Sequence, residues 1–341
     1  MQDPPRWSRL RAVNRRAFVT IAAVAVAVRL VLLTTPFSYV PDVYYYDAQA
    51  AHALLAGSNP YGHNYTIQAG LTTQGAGNVF AYLPGVVEFL TPFGAAGDIR
   101  LGLVACDILV ALALYSLKGR WAAPTAAVYL LLPTGILFST WYPNDTLVGM
   151  AFLGLAFATR SRGRYGISSV FTGLSLASSQ LVWLFYPFVL LAELKARRFK
   201  ETVLGLLVAL VAVAPFLLWN PTTFISNTIY FEFGRPVQGL LTPEVFGVNV
   251  NPTLSGFAMT LFGALVPLTL KAGIIAAVLA PLLWKASTPQ KVLLNGSFFL
   301  IIAILVLPGN FSWWYLELPL MTLMVWFLSS RGLTTPSAVN P

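Results

Sequence analysis

Long apolar runs recur from one end of this 341-residue chain to the other, and few charges interrupt them. Each run is about 15 to 20 residues long, which is close to the length that an α-helix needs to cross a bilayer. Only 10% of the residues are charged and 57% are apolar, whereas soluble domains carry about 25% charged residues. The sequence therefore predicts an all-α polytopic membrane protein, a single domain over residues 1–341 with about ten spans.

The basic residues gather between the apolar runs, and their positions predict how the chain is threaded. They cluster in residues 1–16, 118–120, 160–164, 195–200 and 285–291. Short loops rich in Lys and Arg stay on the cytoplasmic side of a membrane. We therefore expect a plasma-membrane protein with a cytoplasmic tail over residues 1–16. Basic loops of this kind also explain the net charge of +9, so no nucleic-acid partner is inferred.

The positions of these clusters fix how often the chain crosses between them. The first two clusters are both expected on the cytoplasmic side, so the chain must cross the membrane an even number of times between them. Three apolar runs lie there, so one of these runs does not span. The run 79–93 is short and contains two prolines, which is typical of an interfacial or re-entrant helix. We read 17–35 as an uncleaved first span, and residues 36–100 then form a long first outer loop with amphipathic juxtamembrane helices.

The same counting applies to the second half of the chain. Residues 166–194 lie between two basic clusters, so they must cross twice as two unusually short helices. Residues 220–253 form a second outer loop. Residues 254–284 return either as one tilted span or as a re-entrant piece plus a span. The assignment of 254–284 depends on the charge of Lys271 within it. If this segment forms a full hairpin, the C-terminus lies on the opposite side of the membrane.

The densest polar segment, "PDVYYYDAQAAHALLAGSNPYGHN", directly follows the first span. We expect an amphipathic helix over 43–56, with Asp42 as its N-cap and with Ala48, Ala51, His52 and Leu55 on one face. Asp42 either only caps this helix or takes part in chemistry. Asp47 lies about 140° round the helix from Asp42, so the two carboxylates do not form a simple dyad.

The other polar side chains of this segment have ordinary and functional interpretations. Asp47 is either a solvated helix residue or a participant in a site. Tyr44, Tyr45 and Tyr46 are interfacial anchors, or one of them stacks on a sugar. His52, on the amphipathic face, is a packed or hydrogen-bonded residue or else contacts the substrate; with His63 it gives too few ligands for a metal site.

Further polar residues fall in the other outer segments. Asp145, in "WYPNDT", is either a turn and cap residue or a second acidic site residue. Arg235 is a solvated charge or a phosphate ligand. Trp314 and Tyr315 belong to an aromatic belt or to a substrate site.

Several segments together resemble the GT-C superfamily of integral-membrane glycosyltransferases, in particular its polyprenol-phosphate mannosyl- and arabinosyltransferase-like branch. The first-loop segment "PDVYYYDAQAAHALLAGSNPY" and "YLPGVVEFLTPFG" resemble two consecutive motifs of that family. "IRLGLVACDILVALALYSLKGR", "WYPNDTLVGMAFLGLAFATRSR", "GLSLASSQLVWLFYPFVLLAELKARR" and "WWYLELPLM" resemble later ones. The chain departs from the family at Val43, where an acid is frequent, at Leu83, where a proline is frequent, and near Gln180, where a lysine is common.

The resemblance implies a GT-C-like bundle and sugar transfer from a polyprenyl-phosphate-linked donor to a glycan or glycolipid acceptor, by an inverting single displacement at the outer membrane surface. It assigns the catalytic base to Asp42. Asp145, and also Asp47 or Glu88, would orient the acceptor or bind a metal, and Arg235 or Arg100 would contact the phosphate. No cofactor is certain, and a divalent metal such as Mg²⁺ or Mn²⁺ is left open.

Two other functions fit the same composition. A transporter or flippase for polyprenyl-linked lipids would carry its polar groups at mid-membrane depth on broken helices. A non-catalytic subunit of envelope-polysaccharide assembly would carry no working base. The acidic residues of this chain gather in the outer loops, and this distribution favours the enzyme.

Overall fold

The computed structural model describes residues 6–35, 42–63, 65, 79–117, 121–141, 145–231, 244–245, 248–249, 252–264, 266–308 and 313–332. These residues form a bundle of helices. Two short antiparallel strands, β1 (Glu244–Val245) and β2 (Val248–Asn249), precede the helix that begins at Leu254. The helices are α1 (Arg6–Thr34), α2 (Asp42–Leu55), α3 (Pro84–Ala95), α4 (Arg100–Ser116), α5 (Ala122–Leu131), α6 (Pro133–Thr140), α7 (Thr146–Ser161), α8 (Tyr165–Ser178), α9 (Gln180–Lys195), α10 (Phe199–Trp219), α11 (Pro221–Ile225), α12 (Leu254–Phe262), α13 (Leu268–Lys285), α14 (Pro289–Val306) and α15 (Glu317–Gly332).

Among the described residues, four helices are long and apolar enough to cross a membrane: α1, α10, α13 and α14. The bent pairs α3–α4 and α5–α6 raise this number to six if each pair is one span, and α7 and α15 are shorter apolar helices. The chain is therefore a multi-pass membrane protein. The number of about ten spans stays a prediction.

The crossings inferred from charge can be compared with these helices. Residues 166–194 do form two short helices, α8 and α9, which meet at Ser179. Residues 254–284 form a short piece, α12, followed by a span-length helix, α13. Nine residues of helix extend only about 13 Å, so α12 is too short to complete a hairpin across a bilayer.

Two predicted segments are bent. Helix α3 turns by 120° from α4, so α3 does not continue the line of α4, as expected for the run 79–93. The apolar run 122–140, which could be taken for one straight span, forms two helices bent by 55° at Leu132 and Pro133. Pro133 has no N–H to donate and disfavours helical geometry at the residue before it.

Small residues allow the short helices to pack closely. Ser175 Oγ donates to Gly149 O at 2.7 Å and joins α8 to α7. On the other side of α8, a Cβ at Gly173 would lie 2.3 Å from Gly205 O of α10. Close backbone approach through Gly and Ser is the usual way in which helices associate in membranes.

The basic clusters at 160–164, 195–200 and 285–291 lie at one end of the bundle, which we call the basic end. Four contacts join them: the ion pair of Arg160 with Glu193, the Arg198 guanidinium 3.4 Å from the Tyr165 ring centre, Lys195 Nζ donating to Ala286 O at 2.7 Å, and Arg162 Nη2 donating to Ser116 O at 3.4 Å. Segments that the charge pattern placed on one side are thus together in the structure.

The opposite end gathers α2, α3 and the ends of several long helices, and we call it the acidic end. Trp141 follows α6 and Thr35 follows α1, and Trp141 Nε1 donates to Thr35 Oγ1 at 2.9 Å. Gln180 Nε2, at the start of α9, donates to Ala81 O at 2.9 Å, before α3. Gln180 thus holds the segment of the chain that leads into α3.

Candidate functional site

Helix α2 carries most of the candidate residues of the predicted first outer loop. It begins at Asp42 and ends at Leu55, close to the predicted range of 43–56. Gly57 follows with a φ of 72°, a left-handed conformation that glycine adopts without strain and that ends helices. The helix packs on α3, where a Cβ at Gly94 would lie 3.2 Å from Ala51 Cβ.

The buried face of α2 differs from the predicted one. Val43, Tyr46, Asp47, Ala50, Ala51 and Ala53 are buried, whereas His52 and Leu55 are exposed. His52 is exposed, so the expectation that it is a packed residue is wrong. Because α2 contacts both α3 and the aromatic residues that follow it, its buried surface is wider than the single stripe that the pattern indicated.

Asp47 is fully buried, so its interpretation as a solvated residue is wrong. It lies near Tyr65, and the ring of Tyr65 meets the Tyr46 ring edge-on, with the ring centres 5.6 Å apart. Burial, and to a smaller extent the charge of Asp47, raise the pKa of Tyr65 well above its ordinary value. Asp47 thus lies in the buried part of α2, beside Tyr65.

The remaining positions of α2 lie at its start. Asp42 is the first residue of the helix. Tyr44 and Tyr45 are half-buried, with their rings edge-on at 5.7 Å. Tyr46 is buried in the core, so Tyr45 is the better placed of these two tyrosines to meet a ligand.

Tyr61 joins the first outer loop to the end of α10 and to α11. It is buried, its hydroxyl donates to Tyr82 O at 2.7 Å, and its carbonyl accepts from Asn227 Nδ2 at 3.2 Å. Its ring packs edge-on against Phe224, with the ring centres 4.8 Å apart. Burial raises the pKa of Tyr61 well above its ordinary value, so this hydroxyl serves as a neutral donor at physiological pH.

Asp145 lies at the acidic end as well. It precedes α7 and is 7% exposed, and its side chain makes no capping hydrogen bond to that helix. The interpretation of Asp145 as only a helix cap is therefore not supported. The preceding helix, α6, ends at Thr140, whose carbonyl contacts the Arg100 side chain 3.5 Å away. Arg100 in turn lies under Tyr44 of α2, so the turn with Asp145 and the start of α2 occupy one end of the bundle.

The other predicted site residues are more scattered. Glu88 is exposed on α3, and Tyr315 is half-buried in a 3₁₀ turn over Trp313–Leu316 that also contains Trp314. Arg100 is buried and paired with Asp98. Arg235 lies outside the described residues.

A buried polar cluster was not predicted as a unit. Arg29 of α1 donates from Nε to Asp107 Oδ2 of α4 at 2.8 Å and from Nη2 to Leu130 O of α5 at 3.1 Å. Tyr129 lies beside Asp107. Glu317, the first residue of α15, interacts electrostatically with Asp107 and Arg29, and its Oε2 is buried without a hydrogen-bond partner. The sequence showed only that Asp107 and Arg29 are charges within spans; their separation of 78 residues gives no sign of pairing.

The described residues contain no group of three or more His, Cys, Asp or Glu side chains that could hold a metal ion.

No protein-family model and no curated protein matches this chain. Solved structures of ArnT from Cupriavidus metallidurans are similar to it at 15% sequence identity. The structure bound to undecaprenyl phosphate has a TM-score of 0.59 over 92% of this chain and 60% of ArnT. The apo structure has a TM-score of 0.57 over 92% of this chain and 59% of ArnT. The chain thus spans about 60% of the length of ArnT, and the GT-C fold expected from the sequence is confirmed.

Proposed function

We propose that this chain, which has the GT-C fold, transfers a sugar from a polyprenyl-phosphate-linked donor to a glycan or glycolipid acceptor on the extracytoplasmic face of the plasma membrane. The observation that carries the proposal is the fold shared with ArnT over 92% of this chain, in a structure of ArnT that binds undecaprenyl phosphate. A lipid phosphate of that kind is the leaving group that the proposed reaction requires.

The placement of the acidic residues supports the proposal. Asp42 and Asp47 belong to α2, and Asp145 precedes α7 at the same end of the bundle. This end is opposite to the basic end, and basic loops mark the cytoplasmic side. The candidate residues therefore belong to the end that faces out, where lipid-linked sugars and envelope acceptors would meet.

The reaction can be written with these residues in named roles. Asp42 accepts the proton of an acceptor hydroxyl as its oxygen attacks the anomeric carbon of the donor sugar. The bond between that carbon and the phosphate oxygen breaks, and the polyprenyl phosphate leaves with the electron pair. Asp145 orients the acceptor, and Asp47 holds the aromatic residues behind α2. Arg235 is the candidate donor to the departing phosphate.

A transfer assay tests the assignment. The purified protein in lipid nanodiscs is given a panel of radiolabelled polyprenyl-phosphate sugars and an envelope extract as acceptor, and the release of polyprenyl phosphate is measured. General-base catalysis contributes about 10²- to 10⁴-fold, so Asp42→Asn should lower kcat by a factor in that range. Glu201→Gln, a carboxylate change at the basic end, is the matched control and should retain the wild-type rate. Full activity of Asp42→Asn would remove Asp42 as the base.

The buried Arg29–Asp107–Glu317 cluster favours a second candidate, a transporter or flippase for polyprenyl-linked lipids, because charged groups within spans mark transport pathways. The two functions differ in what happens to the donor. A transporter moves the intact lipid-linked sugar across proteoliposomes, whereas a transferase cleaves it. A third candidate, a non-catalytic assembly subunit, would do neither when purified.

A further inference from the structure

Arg100 contacts three helices besides its own at the acidic end: α1, α6 and α2. It is the first residue of α4 and is 7% exposed. Its Nε donates to Asp98 Oδ2 at 2.8 Å, its Nη2 lies 2.6 Å from the same oxygen, and its backbone N–H donates to Asp98 Oδ1 at 2.9 Å. Asp98 therefore neutralises the guanidinium through adjacent donors, as in strong arginine–carboxylate pairs.

The same guanidinium joins two helix ends. Nη2 donates to Leu33 O, in the last turn of α1, at 3.1 Å, and Nη1 approaches Thr140 O, the last residue of α6, at 3.5 Å. Carbonyls in the last turn of a helix have no partner within the helix and carry partial negative charge. Arg100 thus satisfies the ends of α1 and α6 while it belongs to the start of α4.

The fourth element is α2. The Cζ of Arg100 lies 5.8 Å from the centre of the Tyr44 ring, within the range of a cation–π interaction. Tyr44 is two residues after Asp42 and three before Asp47. A shift of Arg100 would therefore move the part of α2 that carries both carboxylates.

We propose that Arg100 is a positioning residue, which fixes the start of α2 through Tyr44, and that it is not a ligand of the lipid phosphate. This assignment rests on the proposed transferase function and replaces the phosphate contact that the sequence resemblance gave to Arg100. A guanidinium that is already paired with a carboxylate and two helix ends adds little attraction for an incoming phosphate. Displacing α2 by about 1 Å can cost about 100-fold in rate, because reacting groups must be aligned.

Substitution of Asp98 distinguishes a positioning role of Arg100 from a phosphate-binding role, because the two roles predict different effects on kcat and on lipid binding. If Arg100 positions α2, Asp98→Asn and Arg100→Gln weaken the same contacts, and both should lower kcat by 10- to 100-fold. Binding of undecaprenyl phosphate should then stay within about threefold of wild type in both variants, since the phosphate contact lies elsewhere. If Arg100 binds the phosphate, Asp98→Asn frees the guanidinium and keeps or improves binding, and only Arg100→Gln loses it.

The experiment measures three quantities on the full-length protein in nanodiscs: kcat, the affinity for undecaprenyl phosphate, and hydrogen exchange of the amides of residues 42–55. Tyr44→Leu should raise this exchange as Arg100→Gln does, whereas Tyr44→Phe, which keeps the ring, should not. Unchanged exchange in Arg100→Gln, or loss of lipid binding in that variant alone, overturns the proposal. If wild-type protein neither binds the lipid nor transfers sugar, the proposed function fails, but the exchange measurement still decides whether Arg100 positions α2.

Discussion

The close approach of α8 to α10 predicts a large difference between two glycine substitutions on the same helix. A Cβ at Gly173 would lie 2.3 Å from Gly205 O and 2.7 Å from Val208 Cβ. A Cβ at Gly166 would meet no atom within 4 Å. An ordinary contact distance starts near 3.4 Å, so Gly173→Ala requires α10 to move away by about 1 Å.

The magnitude follows from packing energies. Overpacking of a well-packed interface costs about 1–3 kcal/mol, and the clash here is with backbone, which cannot rotate away. Gly166→Ala should instead gain up to about 1 kcal/mol, since alanine favours helices more than glycine does. At about 2–4 °C for each kcal/mol in domains of 150–250 residues, Gly173→Ala should lower Tm by several degrees and Gly166→Ala should not lower it.

The chain carries its own reporter for this measurement. Cys106 is its single cysteine and is fully buried in α4, so a thiol-reactive dye becomes fluorescent only as the bundle opens. Thermal unfolding in detergent with this dye compares both variants with wild type without a new label. Equal Tm values for Gly173→Ala and Gly166→Ala would refute the predicted contact between α8 and α10.

Two further predictions concern buried polar contacts. Arg29→Met leaves the Asp107 carboxylate buried without its cation and should lower the free energy of unfolding by about 3–5 kcal/mol. The double variant Arg29→Met with Asp107→Leu should recover much of this loss, and the Cys106 dye assay measures both variants. A double variant no more stable than Arg29→Met would contradict the pairing. Asn227→Ala removes the donor to Tyr61 O at 3.2 Å and should cost about 1–2 kcal/mol in the same assay. Wild-type stability of this variant would mean that the bond contributes nothing to the docking of the helical turn that follows α11.

The charge pattern predicted two features of the helices that the structure shows, because basic clusters mark loop ends in bundles of this kind. The division of 166–194 into two short helices and the turn at α3 both followed from it. The bend between α5 and α6 was missed, although Pro133 was a visible signal for it. The segment 220–253, predicted as a second outer loop, begins with α11 and a helical turn over Ser226–Tyr230, which no periodicity indicated.

The candidate site was harder to predict because its contacts join residues that are distant in the chain. The start of α2 at Asp42 could be predicted from local signals, but the burial of Asp47 depends on Tyr65 and on packing against α3. The predicted buried face of α2 included His52, but this face was defined mainly by alanines, whose small side chains give a weak hydrophobic signal. The pairing of Arg29 with Asp107, and the contacts of Arg100 with Leu33 and Thr140, need the folded bundle before they exist.

The central claim is that the acidic end faces out and the basic end faces the cytoplasm. In a Cys106→Ala background, His63→Cys reports the first outer loop, Asn144→Cys the turn beside Asp145, and Arg164→Cys the basic end. An impermeant thiol label applied to intact cells should react at positions 63 and 144, and at position 164 only after the membrane is permeabilised. Labelling of positions 63 and 144 from opposite sides of the membrane would contradict the shared site and, with it, the proposed transfer reaction.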